Sequence, residues 1–437
     1  MEPFIAMTQV HLPQVKPKTT FEQLGLIPEL LTRLSQLEYV ETTLIQGKTI
    51  PVVLAGKDLL AGAVTGSGKT AAFALPILQN MAKIKVKASK GNQIGVLVLV
   101  PTRELAQQVA NSFKSYGQLI QPRLKVAAVF GGVSANTQML ALRGGADILV
   151  ATPGRLLDLV SSNAVKLAQV RTLVLDEADR MLSLGFTDEL AQIVTLLPKQ
   201  KQILLFSATF PEEVKTLTDN LLSLPVEVQI QSEEQSTLLQ KVYTVNRNRK
   251  AALLAHLIKD NNWRQVLVFA SAKNTCNRLE QKLAKSGIAA QIFHSDKSQG
   301  ARTKVLEAFK NGDTHVLIAT DIAARGIDIE KLPVVINYEL PRSPIDYMHR
   351  IGRSGRAGEV GLALSLISHD EYQHFKLIEK KNKINLDREQ VSGFEVDEEA
   401  PLDCPSREIK PQAAPEGMGK KKRKILTKSN TELWIKK

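Results

Sequence analysis

Cysteine is nearly missing from this chain: Cys276 and Cys404 are the only two in 437 residues. Two such residues build neither a disulfide framework nor a paired-cysteine metal site, so free thiols in a reducing compartment are expected. Aromatic residues make up only 5%, which argues against recognition chiefly by base stacking. No apolar run reaches the ~18–20 residues that span a bilayer. The first twenty residues, with Pro3, Pro13, Pro17, Lys16 and Lys18, lack the apolar core of a signal peptide. Segment 1–18 therefore reads as a flexible arm on a cytoplasmic protein that is not secreted. Acid is short relative to base: 57 Lys and Arg stand against 44 Asp and Glu, a formal net charge of +13. That surplus suits a nucleic-acid partner without establishing one.

What the chain does have is a recurring pattern. Short apolar runs alternate with helix-length mixed stretches. They are Asp58–Ala63, Gly95–Val100, Val126–Phe130, Asp147–Ala151, Thr172–Leu175 and Ile203–Phe206 in the first half. Gln265–Ala270, Ala289–Phe293, His315–Ala319, Val334–Tyr338 and Leu362–Ile367 follow in the second. This alternation predicts two similar α/β domains, each a mostly parallel sheet with helices on both faces. The first is expected over 19–224 and the second over 241–395. A linker at 225–240, polar around Gln231–Ser236, would join them. A tail at 396–437 carries five consecutive basic residues, Lys420–Lys424. Basic runs are usually solvated; an RNA-binding extension and a nuclear-import signal are the other readings.

Several runs end in polar, small or glycine-rich clusters, and ligand sites of open α/β sheets collect at the carboxyl ends of strands. After the first run comes Ala63-Val64-Thr65-Gly66-Ser67-Gly68-Lys69-Thr70. Its glycines let backbone N–H groups face phosphate oxygens, and the following helix adds its positive end. Lys69 would neutralise phosphate charge and Thr70 would ligate Mg²⁺. The general phosphate-loop pattern has glycine where Ala63 stands. After Thr172–Leu175 come Asp176 and Glu177, a metal anchor and a water-activating base in a phosphoryl-transfer enzyme. ATP and Mg²⁺ are thus the expected ligands.

The ordered set of motifs resembles the DEAD-box RNA helicases over residues 19–395. The phosphate loop and Asp176–Asp179 are joined by Pro101–Ala106, Gly131-Gly132, Thr152–Arg155 and Ser207–Thr209. The second half adds Val268-Phe269, Gln299 with Arg302, Ala319–Asp321 through Arg325–Asp328, and His349–Arg356. The resemblance implies two tandem RecA-like domains and, from the short tails, a bacterial member. It implies that Phe21 stacks on adenine and Gln46 hydrogen-bonds its edge, although Glu38 and Thr42 stand where the family usually has glycine and proline. Val64 stands where glutamine is usual, and Ser295 interrupts a common His-Gly-Asp.

In that reading ATP binds the first domain, RNA bridges both, and closure brings Arg353 and Arg356 to the γ-phosphate. Their spacing of three would put them on one helical face. Gly326 and Asp328 would meet the nucleotide or the closed interface. Ser207, Thr209, Asp179, His349 and Arg350 would couple the nucleotide and RNA sides. Charge from Arg103, Arg155 and Arg302, backbone from Gly131, Gly132 and Gly154, and neutral donors from Thr102, Thr152, Thr320 and Gln299 would hold RNA by phosphate and sugar. A capping role for Ser207 and Thr209 stays open beside this one. The expected activity is RNA-stimulated ATP hydrolysis that unwinds short duplexes or remodels RNA–protein complexes, by a core that acts as a monomer. An ATP-gated RNA clamp with little unwinding is the alternative, and a DNA helicase the less favoured third.

Overall fold

The computed structural model describes residues 19–63, 66–83, 91–230, 238–324, 332–355 and 361–397, without the side chains of 322 and 324. Two seven-stranded sheets carry these residues, and every recorded strand pair is parallel. The first sheet comprises β1 (Leu59–Gly62), β2 (Ile94–Leu99), β3 (Val126–Val129), β4 (Ala146–Ala151), β5 (Thr172–Leu175), β6 (Gln202–Ser207) and β7 (Val226–Gln229). Across it the order is β3-β4-β2-β5-β6-β1-β7. The second comprises β8 (Leu238–Thr244), β9 (Val266–Ala270), β10 (Ala290–Phe293), β11 (Val316–Thr320), β12 (Val334–Asn337), β13 (Gly361–Ile367) and β14 (Arg388–Glu389). Its order is β10-β11-β9-β12-β13-β8-β14. The two arrangements are the same when each domain's strands are numbered from its own start.

Burial explains why the inner strands read as unbroken apolar runs. Successive side chains of a strand point to opposite faces, and both faces here are covered. Val96, Val98, Val174 and Leu204 enter one core, while Leu97, Leu99, Leu173, Leu175 and Leu205 enter the other. Fully burying each such side chain stabilises the fold by about 1.5–3 kcal/mol. The helix Lys69–Lys83 behind β1 is anchored by Phe73, whose ring lies 6.0 Å from Phe113 and 5.3 Å from Phe206. Aromatic packing thus fixes the helix whose first turn ends the phosphate loop.

The expected linker needs correction. Residues 226–229 form edge strand β7 on β1, and Leu238 opens β8 against β13. Only Val228 of β7 is buried. A half-solvated edge strand lacks the continuous apolar run that marks an inner one, so the sequence pattern passes over it. Residues 231–237, the basic tail and Cys404 lie outside the described residues. Cys276 is a free, buried thiol, and burial pushes its pKa up to about 12. Among the described residues, no helix is long and apolar enough to cross a membrane.

Candidate active site at the junction of the two sheets

The phosphate loop joins β1 to the helix Lys69–Lys83. Gly66 and Gly68 have φ of 78° and 91°, where a side chain is strained. A Cβ on Gly68 would also overlap the Gln46 amide. The Gln46 Nε2–H donates to the Gly68 carbonyl at 3.2 Å, and its Oε1 accepts from Thr43 N–H at 2.9 Å. One N–H and one lone pair of this amide therefore remain for a base edge. The Lys69 ammonium is buried and has no hydrogen-bond partner. Such a group fits an anion that completes the site. Thr70 follows it in the first turn, Ala63 N–H is held by the Ser207 carbonyl, and Val64 and Thr65 lie outside the described residues.

Asp176 and Glu177 follow β5 directly. Asp176 is anchored through its N–H to the Leu99 carbonyl at 3.0 Å, and its Oδ1 accepts from Glu177 N–H at 3.0 Å. Burial pushes its pKa up to about 6, against the pull of Lys69 and with a further push from Glu177. Glu177 adopts φ 54°, ψ 52°, left-handed backbone that costs a non-glycine residue about 1–3 kcal/mol and recurs at active sites. Burial alone would raise its pKa; Arg180, Lys69 and Arg353 together hold it below the usual value. The Arg180 guanidinium lies 3.6 Å from Glu177 Oε2. A carboxylate kept ionised while buried is suited to accept a proton. Among the described residues no cluster of three or more His, Cys, Asp or Glu could cage a metal. One buried carboxylate and a hydroxyl nevertheless fit Mg²⁺, which keeps most of its waters and binds substrate phosphates.

Asp179 ties β5 to β6. Its Oδ2 accepts from Thr209 N–H at 3.0 Å and from Thr209 Oγ1 at 2.7 Å, while its N–H donates to Ser207 Oγ at 3.3 Å. The Ser207 hydroxyl donates in turn to the Thr209 carbonyl at 2.6 Å. Ser207 and Thr209 therefore bond across to the DEAD tetrapeptide rather than capping the helix that follows them.

The second domain reaches this cluster through His349. An Arg180 N–H donates to His349 Nδ1 at 3.0 Å. Arginine only donates, so the imidazole proton sits on Nε2, which has no partner. Burial, and then the Arg180 charge, bring the His349 pKa down to about 4, so the ring is neutral at pH 7. Arg353 is buried nearby and acts electrostatically on both Glu177 and His349. The helix carrying His349, Pro344–Ile351, ends before Arg353. Arg353 thus stands in the turn beyond it, which corrects the expectation of a shared helical face with Arg356. Arg356, Gly326 and Asp328 lie outside the described residues.

Arg350 serves as an internal tie. It grips Asp321 through two bonds of 2.6 and 2.8 Å, donates to Asn337 Oδ1 and to the Glu339 carbonyl, and stacks over Phe269 at 4.9 Å. It locks the helix of His349 to the ends of β11 and β12.

On the other side of the cleft, Thr102 caps the helix Arg103–Tyr116 by accepting from Leu105 N–H at 3.3 Å. Thr152 precedes the helix Pro153–Ser161. The Arg103 guanidinium lies against Gly132, where φ is 79° and a Cβ would collide with it; nothing lies near a Cβ on Gly131 or Gly154. Arg155 donates twice to the Val133 carbonyl at 3.1 Å. Thr320, at the end of β11, is buried.

Two expectations change here. Arg302 is only 5% exposed and pairs with Glu104 of the first domain at 2.9 Å, and Gln299 Nε2–H donates to the same carboxylate at 3.3 Å. A carboxylate satisfies the charge that was expected to meet RNA. Phe21 is 2% exposed within the first core, so its ring packs on protein and opens no face for adenine. Sequence reasoning assigned no role to Arg180 or Glu104. Arg180 had a signal, since three residues after Glu177 it falls on the same side of a helix start.

Two family models match the chain: "DEAD/DEAH box helicase" over residues 43–217 and "Helicase conserved C-terminal domain" over 248–358. A DEAD-box ATP-dependent RNA helicase, CshA of Geobacillus kaustophilus, is 37% identical over 372 residues, covering 85% of this chain and 78% of that protein. The DEAD-box ATP-dependent RNA helicase RhpA of Helicobacter pylori is 37% identical over 366 residues, covering 83% and 73%. Among solved structures, S. cerevisiae Dbp5 bound to RNA and ADP BeF3 superposes with a TM-score of 0.74 at 29% identity, covering 85% of this chain and 95% of the other. The DEAD-box helicase Mss116 bound to ssRNA and UDP-BeF gives 0.76 at 27% identity, covering 86% and 81%. Tandem RecA-like sheets, a phosphate loop facing Asp176 and Glu177, and these relatives agree: the chain belongs to the DEAD-box family of ATP-dependent RNA helicases.

Proposed function

We propose that this chain hydrolyses ATP when RNA closes its two domains, and uses the cycle to separate short RNA duplexes or remodel RNA–protein complexes. The observation that carries the reading is the Arg180–His349 hydrogen bond, beside which the Arg353 charge acts on Glu177, so that one buried site draws on both sheets. Lys69 neutralises the phosphates of bound ATP. Asp176 and Thr70 would hold Mg²⁺, which would offset charge on the phosphate oxygens. Glu177 orients the attacking water and takes its proton as the bond from γ-phosphorus to the bridging oxygen breaks and ADP leaves. Arg353, joined by Arg356, stabilises the charge that develops; such arginines give roughly 10³–10⁵ in rate. The Asp179–Ser207–Thr209 bonds carry the state of this site toward the RNA side.

RNA is held by Arg103, Arg155 and the backbone at Gly131, Gly132 and Gly154. None of these reads a base edge, so binding is sequence-tolerant. Gln46 meets the nucleotide base with its spare N–H and lone pair. A monomeric core and a cytoplasmic setting belong to the same proposal.

Strand displacement tests it. With ATP the protein releases the shorter strand of a short RNA duplex over many turnovers, and Glu177→Gln stops turnover while keeping ATP and RNA bound. Stable retention of RNA in ATP with no strand released would replace the helicase reading by a clamp.

A further inference from the structure

The second sheet repeats the first strand for strand, so its positions can be compared with the nucleotide site. β8 stands where β1 stands, and β12 where β5 stands. Lys69 opens the helix after β1; Lys250 opens the helix Lys250–Asp260 after β8. Glu177 is the second residue after β5; Glu339 is the second residue after β12. At this place the second domain has a cavity of about 220 Å³, lined by Arg247, Lys250, Arg278, Lys282, Glu339 and Glu371 among others. Its walls follow the carboxyl ends of β8, β9, β12 and β13, where open α/β sheets bind ligands.

The two carboxylates are already engaged. Glu371 accepts from the buried Lys250 ammonium and from Ser368 N–H and Oγ. Glu339 accepts from Ser271 N–H at 2.7 Å and Thr275 Oγ1 at 3.3 Å. The cations are less well matched. Arg278 and Lys282 stand four residues apart on the helix Lys273–Lys285, both exposed, and among the described residues neither has an acidic partner. Like charges at this spacing repel unless an anion joins them. Arg247 joins the rim from the turn after β8, paired with the solvent-exposed Asp370 at 2.8 Å. Four cations against two carboxylates leave the lining at +2, or +1 when the Asp370 beside Arg247 is counted.

We propose that this cavity is a second anion site, occupied by a small phosphomonoester. A phosphomonoester carries about −1.5 to −2 at pH 7, opposite in sign to the surplus, and the arginine fork suits phosphate oxygens. A whole ATP is excluded. The turn from β8 has Arg247-Asn248-Arg249 where the phosphate loop has Gly66-Ser67-Gly68, and Glu371 occupies Lys250, whose counterpart Lys69 is unpartnered. The volume is also below the ~300–1,000 Å³ of drug-sized pockets.

Glycerol 3-phosphate is the probe, titrated calorimetrically at fixed ionic strength into the full chain carrying Lys69→Ala, which removes the lysine of the first-domain loop as a competing phosphate partner. One saturable site per chain is expected. Adding Arg278→Ala and Lys282→Ala weakens it by about tenfold or more, with an unchanged thermal midpoint because both side chains are exposed. Unsaturable binding, or equal affinity in the triple variant, overturns the proposal. So does loss of RNA affinity with a shallower salt slope in a protein that never binds glycerol 3-phosphate, which would assign these cations to the RNA surface.

Discussion

Asp176 should make the ligand-free protein less stable as its carboxyl ionises, and Asp176→Asn should relieve that cost. Burial raises its pKa from 3.8 to about 6. A raised carboxyl pKa means that the folded state binds the proton more tightly, so stability falls as pH rises from about 3.8 to about 6 and stays low above that. At ~1.4 kcal/mol per unit the cost is about 3 kcal/mol at pH 8, and about half of that at pH 5. Asparagine keeps the Oδ1 that accepts from Glu177 N–H and carries no charge. The variant should therefore gain about 3 kcal/mol at pH 8 and about half as much at pH 5, while losing ATP turnover. Hydrogen exchange of the β2, β4 and β5 amides in graded urea reads this domain apart from the other. A gain independent of pH, or a loss at pH 8, would refute the argument that burial strains this carboxylate. Saturating Mg²⁺ and ATP should reverse the order of stability, since the ligands favour the wild-type site by mass action.

Two further outcomes follow from contacts at the junction. Arg180→Ala removes a charge that helps hold the Glu177 pKa down, and the bond to His349, so turnover with RNA should fall and the acid limb of its pH profile should move to higher pH; an unmoved limb would show that Arg180 does not tune Glu177. Gly132→Ala places a Cβ on the Arg103 guanidinium at a φ of 79°, which should displace that arginine and weaken RNA binding by about 10–100-fold with ATP affinity in the absence of RNA intact, as equilibrium titration of each ligand would read.

Much of this architecture was legible because parallel strands buried on both faces need continuous apolar runs. Thr172–Leu175 matches its run to the residue, and the ten other apolar runs match their strands to within one residue at either end. Three strands escaped for want of such a run: β7 buries only Val228, β8 only Val242, and β14 is the two-residue Arg388–Glu389. The first-domain chemistry was equally visible, since Lys69, Asp176 and Glu177 follow their strands at once. Partnership was not. Glu104 and Arg302 are 198 residues apart in sequence, and no local pattern says that a carboxylate will take up the arginine. Nor does spacing reveal that Phe21 is packed into the core, that Arg353 lies past the end of its helix, or that Arg180 bridges Glu177 and His349. The Glu104–Arg302 and Arg180–His349 contacts depend on how the two sheets meet, the other two on packing within each domain.

On the proposed mechanism, hydrolysis needs charge supplied by the second domain to a site prepared on the first. Single-turnover ATP hydrolysis with and without saturating RNA, compared between wild type and Arg353→Ala, tests it most directly. In Arg353→Ala the RNA-stimulated rate should drop by about 10³ or more while ATP affinity without RNA barely changes. Full RNA stimulation in Arg353→Ala would contradict it.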